Sequence, residues 1–318
     1  MRVLVTGAAG FIGSHLTEAL LAAGHEVVGY DNFSTGQERF LAAALAHPRF
    51  TLHRADLLDQ AALDAAMAGC EAVFHLAANA DVRFGTQHPR RDTEQNIIAT
   101  QNVLEAMRAQ GVRRILFSST GSVYGEASVF PTPEDAPFPV QTSLYGASKL
   151  AGEGLIAAYC EGFGFHGTVF RFVSILGPRY SHGHVFDFAR KLLADPTVLP
   201  VLGDGRQRKS YLHVEDCVSA MLIAFAAAPA PYAVYNLGQD HWCEVNDSIR
   251  WITEEMGLSP RLEYSGGRRG WVGDNPFIFL DCRRIRALGW APRHSIEASV
   301  RETLRWLLAN RWILEARA

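Results

Sequence analysis

Along the first half of the chain, short apolar runs alternate with stretches whose apolar positions recur every three or four residues. RVLVTG, HEVVGYD, FTLHRAD, AVFHLAA, RILFSST and TVFRFVSIL have the length and β-branched content of strands buried on both faces. Between them, SHLTEALLAAG, LLDQAALDAAMAG and EQNIIATQNVLEAMRAQG carry helical periodicity. Strand, helix, strand at this rhythm predicts βαβ units and an α/β fold, a doubly wound parallel sheet with helices on both faces. After residue 176 the rhythm loosens into loops rich in Gly, Pro and charge, with helices such as VEDCVSAMLIAFAAA and IEASVRETLRWLLAN. One later run, AVYNLG, reads as a strand near 232–238 that returns to the first sheet. The chain therefore divides into residues 1–176 and a smaller mixed α/β lobe, 177–318, with a cleft between them.

Charge and cysteine content narrow the classes. The net charge is −3 with no long basic stripe, so nucleic-acid binding is not expected. The five cysteines are odd in number and never spaced as CxxC, which points to reduced thiols in a cytoplasmic protein rather than disulfides or zinc. No apolar stretch is long enough for a membrane span. The HxH pair at His182 and His184 is too small a set to predict a metal, and none is expected.

The candidate chemistry begins with TGAAGFIGSHL, where Gly7, Gly10 and Gly13 stand between the first strand and first helix. Glycines there allow a tight turn and close approach of a pyrophosphate to the N–H groups of the helix N-terminus. An acid, Asp31, ends the second strand; it can accept both ribose hydroxyls of adenosine and would repel a 2′-phosphate. The nearest following arginine is Arg39, so NAD is favoured over NADP. Strand, glycine turn, helix and acid together predict a Rossmann-type dinucleotide site. Asp56-Leu57, ending the third strand, is placed to reach the adenine, or else Asp56 caps a helix. TSLYGASKLAGE sets Tyr145 and Lys149 four residues apart, on one helix face, a spacing that alone decides nothing.

These motifs, with SSTGSVYGE, GPR, LGDGRQRKSYLHVED, YNLG and RGWVGDNP, resemble the extended short-chain dehydrogenase/reductase family over essentially the whole chain. Within it, the resemblance is to NAD-dependent sugar-nucleotide epimerases, closest to the UDP-glucose (UDP-galactose) 4-epimerase type. It implies Tyr145 as acid/base, Lys149 on the nicotinamide ribose and Thr120 on the sugar hydroxyl. Further cofactor contacts fall on Phe11, Ile12, Asn32, Ser34, Thr35, Gly36, Leu76, Ala77, Ala78, Asn96 and Ser118. Substrate contacts fall on Arg83, Ser122, Ser174, Val201, Lys209, Arg269 and Asp274, with a nucleotide sugar as partner. A homodimer through a four-helix interface is also implied.

The positions ahead of VYG read Thr120-Gly121-Ser122, where the family's dehydratases carry Thr-Asp-Glu. Without those carboxyls, elimination of water lacks its acid and base. The expected reaction is C4 epimerisation through a transient 4-keto sugar, with NAD regenerated in each cycle. A 4-keto reductase or dehydrogenase of the same fold is the rival, and a non-catalytic dinucleotide-binding protein is a further alternative. Two departures bear on the substrate: Ser174 stands where relatives often have Asn, and Lys209 where many have Arg, a point charge in place of a fork.

Overall fold

The computed structural model describes the chain except residues 138, 139, 229, 272, 317 and 318 and the side chains of Arg83 and Phe84. The six apolar runs form β1 (Arg2–Thr6), β2 (Glu26–Asp31), β3 (Phe50–Arg54), β4 (Ala72–His75), β5 (Arg114–Thr120) and β6 (His166–Phe172). The smaller lobe adds β7 (Ser174–Leu176), β8 (Val198–Val201), β9 (Arg208–Lys209) and β10 (Tyr211–His213). Next come β11 (Tyr232–Leu237), β12 (Cys243–Glu244), β13 (Arg261–Tyr264) and β14 (Phe277–Ile278). The central sheet has seven strands in the order β11-β6-β5-β4-β1-β2-β3, all parallel.

Alternate residues of each strand serve opposite helical layers, as the pleat requires. Val3, Val5, Phe74, Leu116 and Phe170 pack with Leu16 and Leu20 of the helix Phe11–Ala22. Leu4, Val28, Val73, Ile115, Phe117 and Val169 pack with Leu63, Val103, Leu104 and Ile156 on the other side. Because every strand is parallel, Thr6, Asp31, His75, Thr120 and Phe172 all end at one edge. The strand order reverses between β1 and β4, which opens a crevice there outside the carboxyl ends.

Two features differ from the sequence expectation. TVFRFVSIL is two strands: β6 stays in the central sheet, while β7 leaves it past Val173 and pairs with β10 from the smaller lobe. The run's apolarity is satisfied in both places, so hydrophobic pattern alone did not mark the break. The segment EQNIIATQNVLEAMRAQG is also interrupted, by a π-helical turn at Thr93–Ile98 before the helix Ala99–Gln110. Such turns are frequent at functional sites.

The helix Leu144–Phe163 approaches the sheet closely at two glycines. A Cβ at Gly152 would sit 2.8 Å from Phe117 Cζ, and one at Gly167 of β6 would sit 2.6 Å from Ile156 Cγ2. We expect Gly167→Ala to cost about 1–3 kcal/mol of stability by overpacking. Gly162→Ala, in the same helix with nothing within 4 Å of its Cβ, should be neutral or stabilise by up to about 1 kcal/mol. Urea denaturation of both variants measures the contrast.

Candidate active site

The crevice at the β1/β4 reversal is floored by the glycine turn. Gly7 takes a left-handed φ of 70°, and a Cβ on it would lie 2.8 Å from the Ala77 nitrogen. A Cβ on Gly13 would lie 2.0 Å from the Gly7 carbonyl oxygen, so the turn cannot close over any larger residue. The helix Phe11–Ala22 starts here with Gly10 as its N-cap and no side-chain cap, leaving its first N–H groups facing the groove. Asp31 accepts hydrogen bonds from the Ala9 N–H (2.9 Å) and the Phe33 N–H (2.8 Å), which fix its carboxylate at the rim. Burial raises its pKa, and the two N–H donors oppose that rise. Gly36 faces Asp31 Oδ1, where a Cβ would come within 2.8 Å.

One continuous groove is lined by Gly7, Gly10, Phe11, Ile12, Gly13, Asp31, Asn32, Ser34, Thr35 and Gly36. It continues past Leu57, Leu76, Ala77, Ala78 and Ser118 to Tyr145 and Lys149. Two residues expected at the cofactor, Asp56 and Asn96, carry hydrogen bonds within the protein. Asp56 accepts from Asn32 Nδ2 (2.7 Å) and from the Leu58 N–H (2.9 Å), holding the loop behind the groove. Asn96 accepts from the Asn79 N–H (2.8 Å) and donates to Ser148 Oγ (2.9 Å), tying the π-helical turn to the Tyr145 helix. The sequence reading did not place Tyr30, Ala55, Ala80, Gln95, Ser119, Phe172, Ser181 and His182 at the cofactor groove, which they also line. Ser181 and His182 come from the loop after GPR, and nothing local in YSHGH says which cavity it faces.

At the far end Tyr145 and Lys149 project from one face of their helix, which Ser143 caps by accepting from the Gly146 N–H (3.0 Å). The Lys149 ammonium is fully buried, donates to the Ser118 carbonyl at 2.7 Å and lies 4.6 Å from the centre of the Phe117 ring. Burial pulls its pKa down to about 7, with Glu153 acting in the opposite sense. Burial raises the Tyr145 phenol to about 12; its hydrogen bond with Thr120 works to lower it, and Asp92 to raise it. Thr120 ends β5, and its Oγ1 also accepts from the Ser122 N–H (3.1 Å).

Of the residues expected on the substrate side, Arg269 and Asp274 lie on a loop of the smaller lobe and Lys209 on β9 beside them. Lys209 donates to Asp274 Oδ1 at 2.7 Å and to the Asn275 carbonyl, while Asp274 Oδ2 accepts from the Gly270 N–H. Burial lowers the Lys209 pKa against the pull of Asp274. Arg269 pairs with Glu126 of the loop after β5. Thr142, three residues before Tyr145, donates to Asn275 Oδ1 (3.1 Å), which joins this lobe to the start of the Tyr145 helix. Ser174 is exposed at the start of β7, and Val201 is buried at the end of β8. Arg83 belongs to the helix Val82–Gln87, but its side chain lies outside the described residues.

The sequence model of the NAD dependent epimerase/dehydratase family matches residues 3–238. The chain belongs to this family. A UDP-glucose 4-epimerase from Mycolicibacterium smegmatis is 34% identical over 314 residues, 96% of this chain and 98% of its own length. The crystal structure of a UDP-galactose 4-epimerase is similar at 40% identity and a TM-score of 0.87, covering 98% of this chain and 100% of that one. A UDP-glucuronic acid 4-epimerase from Bacillus cereus, solved with UDP-glucuronic acid and NAD, gives a TM-score of 0.90 at 28% identity over 98% and 100% of the two chains. NAD is the cofactor of this epimerase/dehydratase family. The groove fits it: a glycine turn that any Cβ would fill, a helix N-terminus for phosphates and an anchored carboxylate for ribose. Among the described residues no helix is long and apolar enough to cross a membrane.

Gly13→Ala should weaken NAD binding about tenfold or more in calorimetric titration, because its Cβ collides with the turn itself. Lys149 generates a pH dependence. Unfolded, it keeps its proton to about pH 10.5, whereas folded and free of cofactor it releases it near pH 7. Between these values the unfolded chain binds more protons, so stability rises with pH. Lys149→Met abolishes that rise. Its stability advantage over the parent, read from urea midpoints, should be largest below pH 7 and shrink steadily towards pH 10.

Proposed function

We propose that the protein epimerises C4 of a nucleotide-diphosphate sugar of the UDP-glucose/UDP-galactose kind, with NAD retained through the cycle. The observation that carries this is the group around Tyr145: Thr120 bonds the phenol, and positions 121 and 122 are Gly and Ser rather than carboxylates. Acid/base capacity at the sugar is then one phenol, enough to move a hydroxyl proton but not to expel water as well.

NAD, when bound, supplies the redox chemistry by accepting hydride from C4 and returning it. Tyr145 takes the proton of the C4 hydroxyl and later gives it back. Thr120 holds that hydroxyl in line with the phenol oxygen. Lys149 steadies the nicotinamide ribose, and the hydrogen bond with Thr120 works against the burial that raises the phenol. Asp31 takes the adenosine ribose, with the glycine turn on the pyrophosphate. Asn32, Ser34, Thr35, Gly36 and Leu57 flank the adenine end, and Leu76, Ala77, Ala78 and Ser118 flank the rest.

On the other side of the sugar, Lys209 and Arg269 serve the diphosphate and Asp274 the nucleotide ribose. Val201 lies along the base, and Arg83, Ser122 and Ser174 face the sugar. Both cations already hold carboxylate partners, Asp274 and Glu126. Diphosphate binding therefore exchanges one anion for another, and the sugar beyond it stays free to turn. The helices Ala99–Gln110 and Leu144–Phe163 are the proposed homodimer faces.

Incubation with UDP-, dTDP- and GDP-sugars, without added NAD(P)H, should convert at least one to its C4 epimer. Tyr145→Phe should lower that turnover by about 10²–10⁴-fold while still binding NAD. No epimer from any sugar in the panel would remove the reading.

A further inference from the structure

Behind Lys149, away from the groove, lies a charged cluster that the mechanism above does not use. Glu153 is one helical turn beyond Lys149 and, like Arg171 of β6, 3% exposed. Arg171 binds the Glu153 carboxylate twice, through Nη2 at 2.7 Å and Nε at 3.1 Å. Its remaining amino group donates to Tyr124 Oη at 2.7 Å and to the Glu134 carbonyl at 2.9 Å. Ser119, next to Thr120, donates to the same Glu153 carboxylate. The Tyr124 hydroxyl in turn donates to Asn236 Oδ1 of β11 at 2.9 Å. One ion pair thus joins the catalytic helix to the ends of β5, β6 and β11.

Buried ion pairs often contribute little net stability, because desolvation offsets their attraction. This one has another consequence, because of what sits beside it. We propose that Glu153 and Arg171 are positioning residues for Lys149 and, through it, for Tyr145. Arg171 and Ser119 fix the Glu153 carboxylate one helical turn from the buried lysine, and Ser119 lies between Ser118, whose carbonyl takes the lysine, and Thr120. This rests on the Tyr145–Lys149 chemistry of the proposed function.

The other groups facing Lys149 do not supply this field. From β4 comes His75, which burial keeps neutral by lowering its pKa to about 3. From β5 come only the Ser118 carbonyl and the Phe117 ring. On its own helix Tyr145 is the group to be ionised. Asp92, from the turn Pro89–Asp92, bears on Tyr145 and disfavours the phenolate. Tyr232 of β11 reaches only the Glu153 carbonyl, at 3.4 Å. Glu153 is the carboxylate that opposes desolvation of Lys149. Arg171 holds that carboxylate in place behind the lysine, whose ammonium is itself fixed on the Ser118 carbonyl.

The test compares Glu153→Gln, Glu153→Asp and the doubly neutral Glu153→Leu/Arg171→Met with the parent. The double variant guards against misfolding, since a buried pair is replaceable by apolar side chains without loss of fold. Two readouts are taken on the NAD-loaded protein: the pH profile of epimerisation, and ultraviolet titration of the Tyr145 phenol with Tyr145→Phe as blank. In Glu153→Gln the alkaline limb should move to lower pH as Lys149 loses its proton more easily. The acid limb should move up as the phenol becomes harder to ionise. Turnover above neutral pH should fall about tenfold or more. The double variant should shift the same way by less, and Glu153→Asp should restore the parent limbs at reduced Tm. Folded variants with parental limbs and phenol titration, altered only in Tm, would overturn the proposal. The phenol titration needs no sugar, so a failed epimerase reading with a shifted phenol remains distinguishable from failure of this inference.

Discussion

The structure depends on how closely one helix, Leu144–Phe163, can lie on β5 and β6. Its approach is set by the missing side chains of Gly152 and Gly167, which leave room for Phe117 and Ile156. With a Cβ at either position the helix would have to stand off, and Lys149 would no longer reach the Ser118 carbonyl at 2.7 Å. A close helix buries Lys149, and a buried ammonium must find oxygen and carboxylate partners or lose its proton. The hydrogen bond to Ser118, the position of Glu153 and the Arg171 pair behind it all answer that one requirement. Packing and the electrostatics of Lys149 are therefore the same constraint in this protein.

The second organising fact is the common polarity of the strands. Parallel β1 to β6 put every carboxyl end at one edge, and the order reversal between β1 and β4 opens that edge into a crevice. The glycine turn, Asp31, Thr120 and the helix Leu144–Phe163 meet there although they are far apart in sequence. The smaller lobe closes the other side through ties such as Thr142 to Asn275 and Arg269 to Glu126. Its cations are held by carboxylates, so the lobe has partners it can exchange without leaving a charge bare.

Local rules made much of this legible. A strand, a glycine turn and a helix in succession are read from spacing and periodicity, because close approach of backbone to backbone permits no other residue. The acid at the end of β2 is legible for the same reason, since strand length fixes where its carboxylate emerges. Tyr145 and Lys149 share a face by helical geometry. Periodicity says which way a side chain points, however, and not what it meets. It could not show that TVFRFVSIL divides between two sheets, since both halves are apolar and both are satisfied. Nor could it show that Asp56 and Asn96 are engaged by Asn32 and Ser148, or that Ser181 and His182 turn into the groove.

The sequence by itself therefore determined the parallel α/β sheet, the dinucleotide turn, NAD as cofactor and the family, because each rests on contacts between near neighbours. Tertiary structure decided the electrostatics. Glu153 and Arg171 are 18 residues apart and on different elements, and only folding makes them a pair. Whether a buried lysine keeps its proton depends on how deeply folding buries it as well as on the carboxylate one turn away, and spacing along the chain shows the second but not the first.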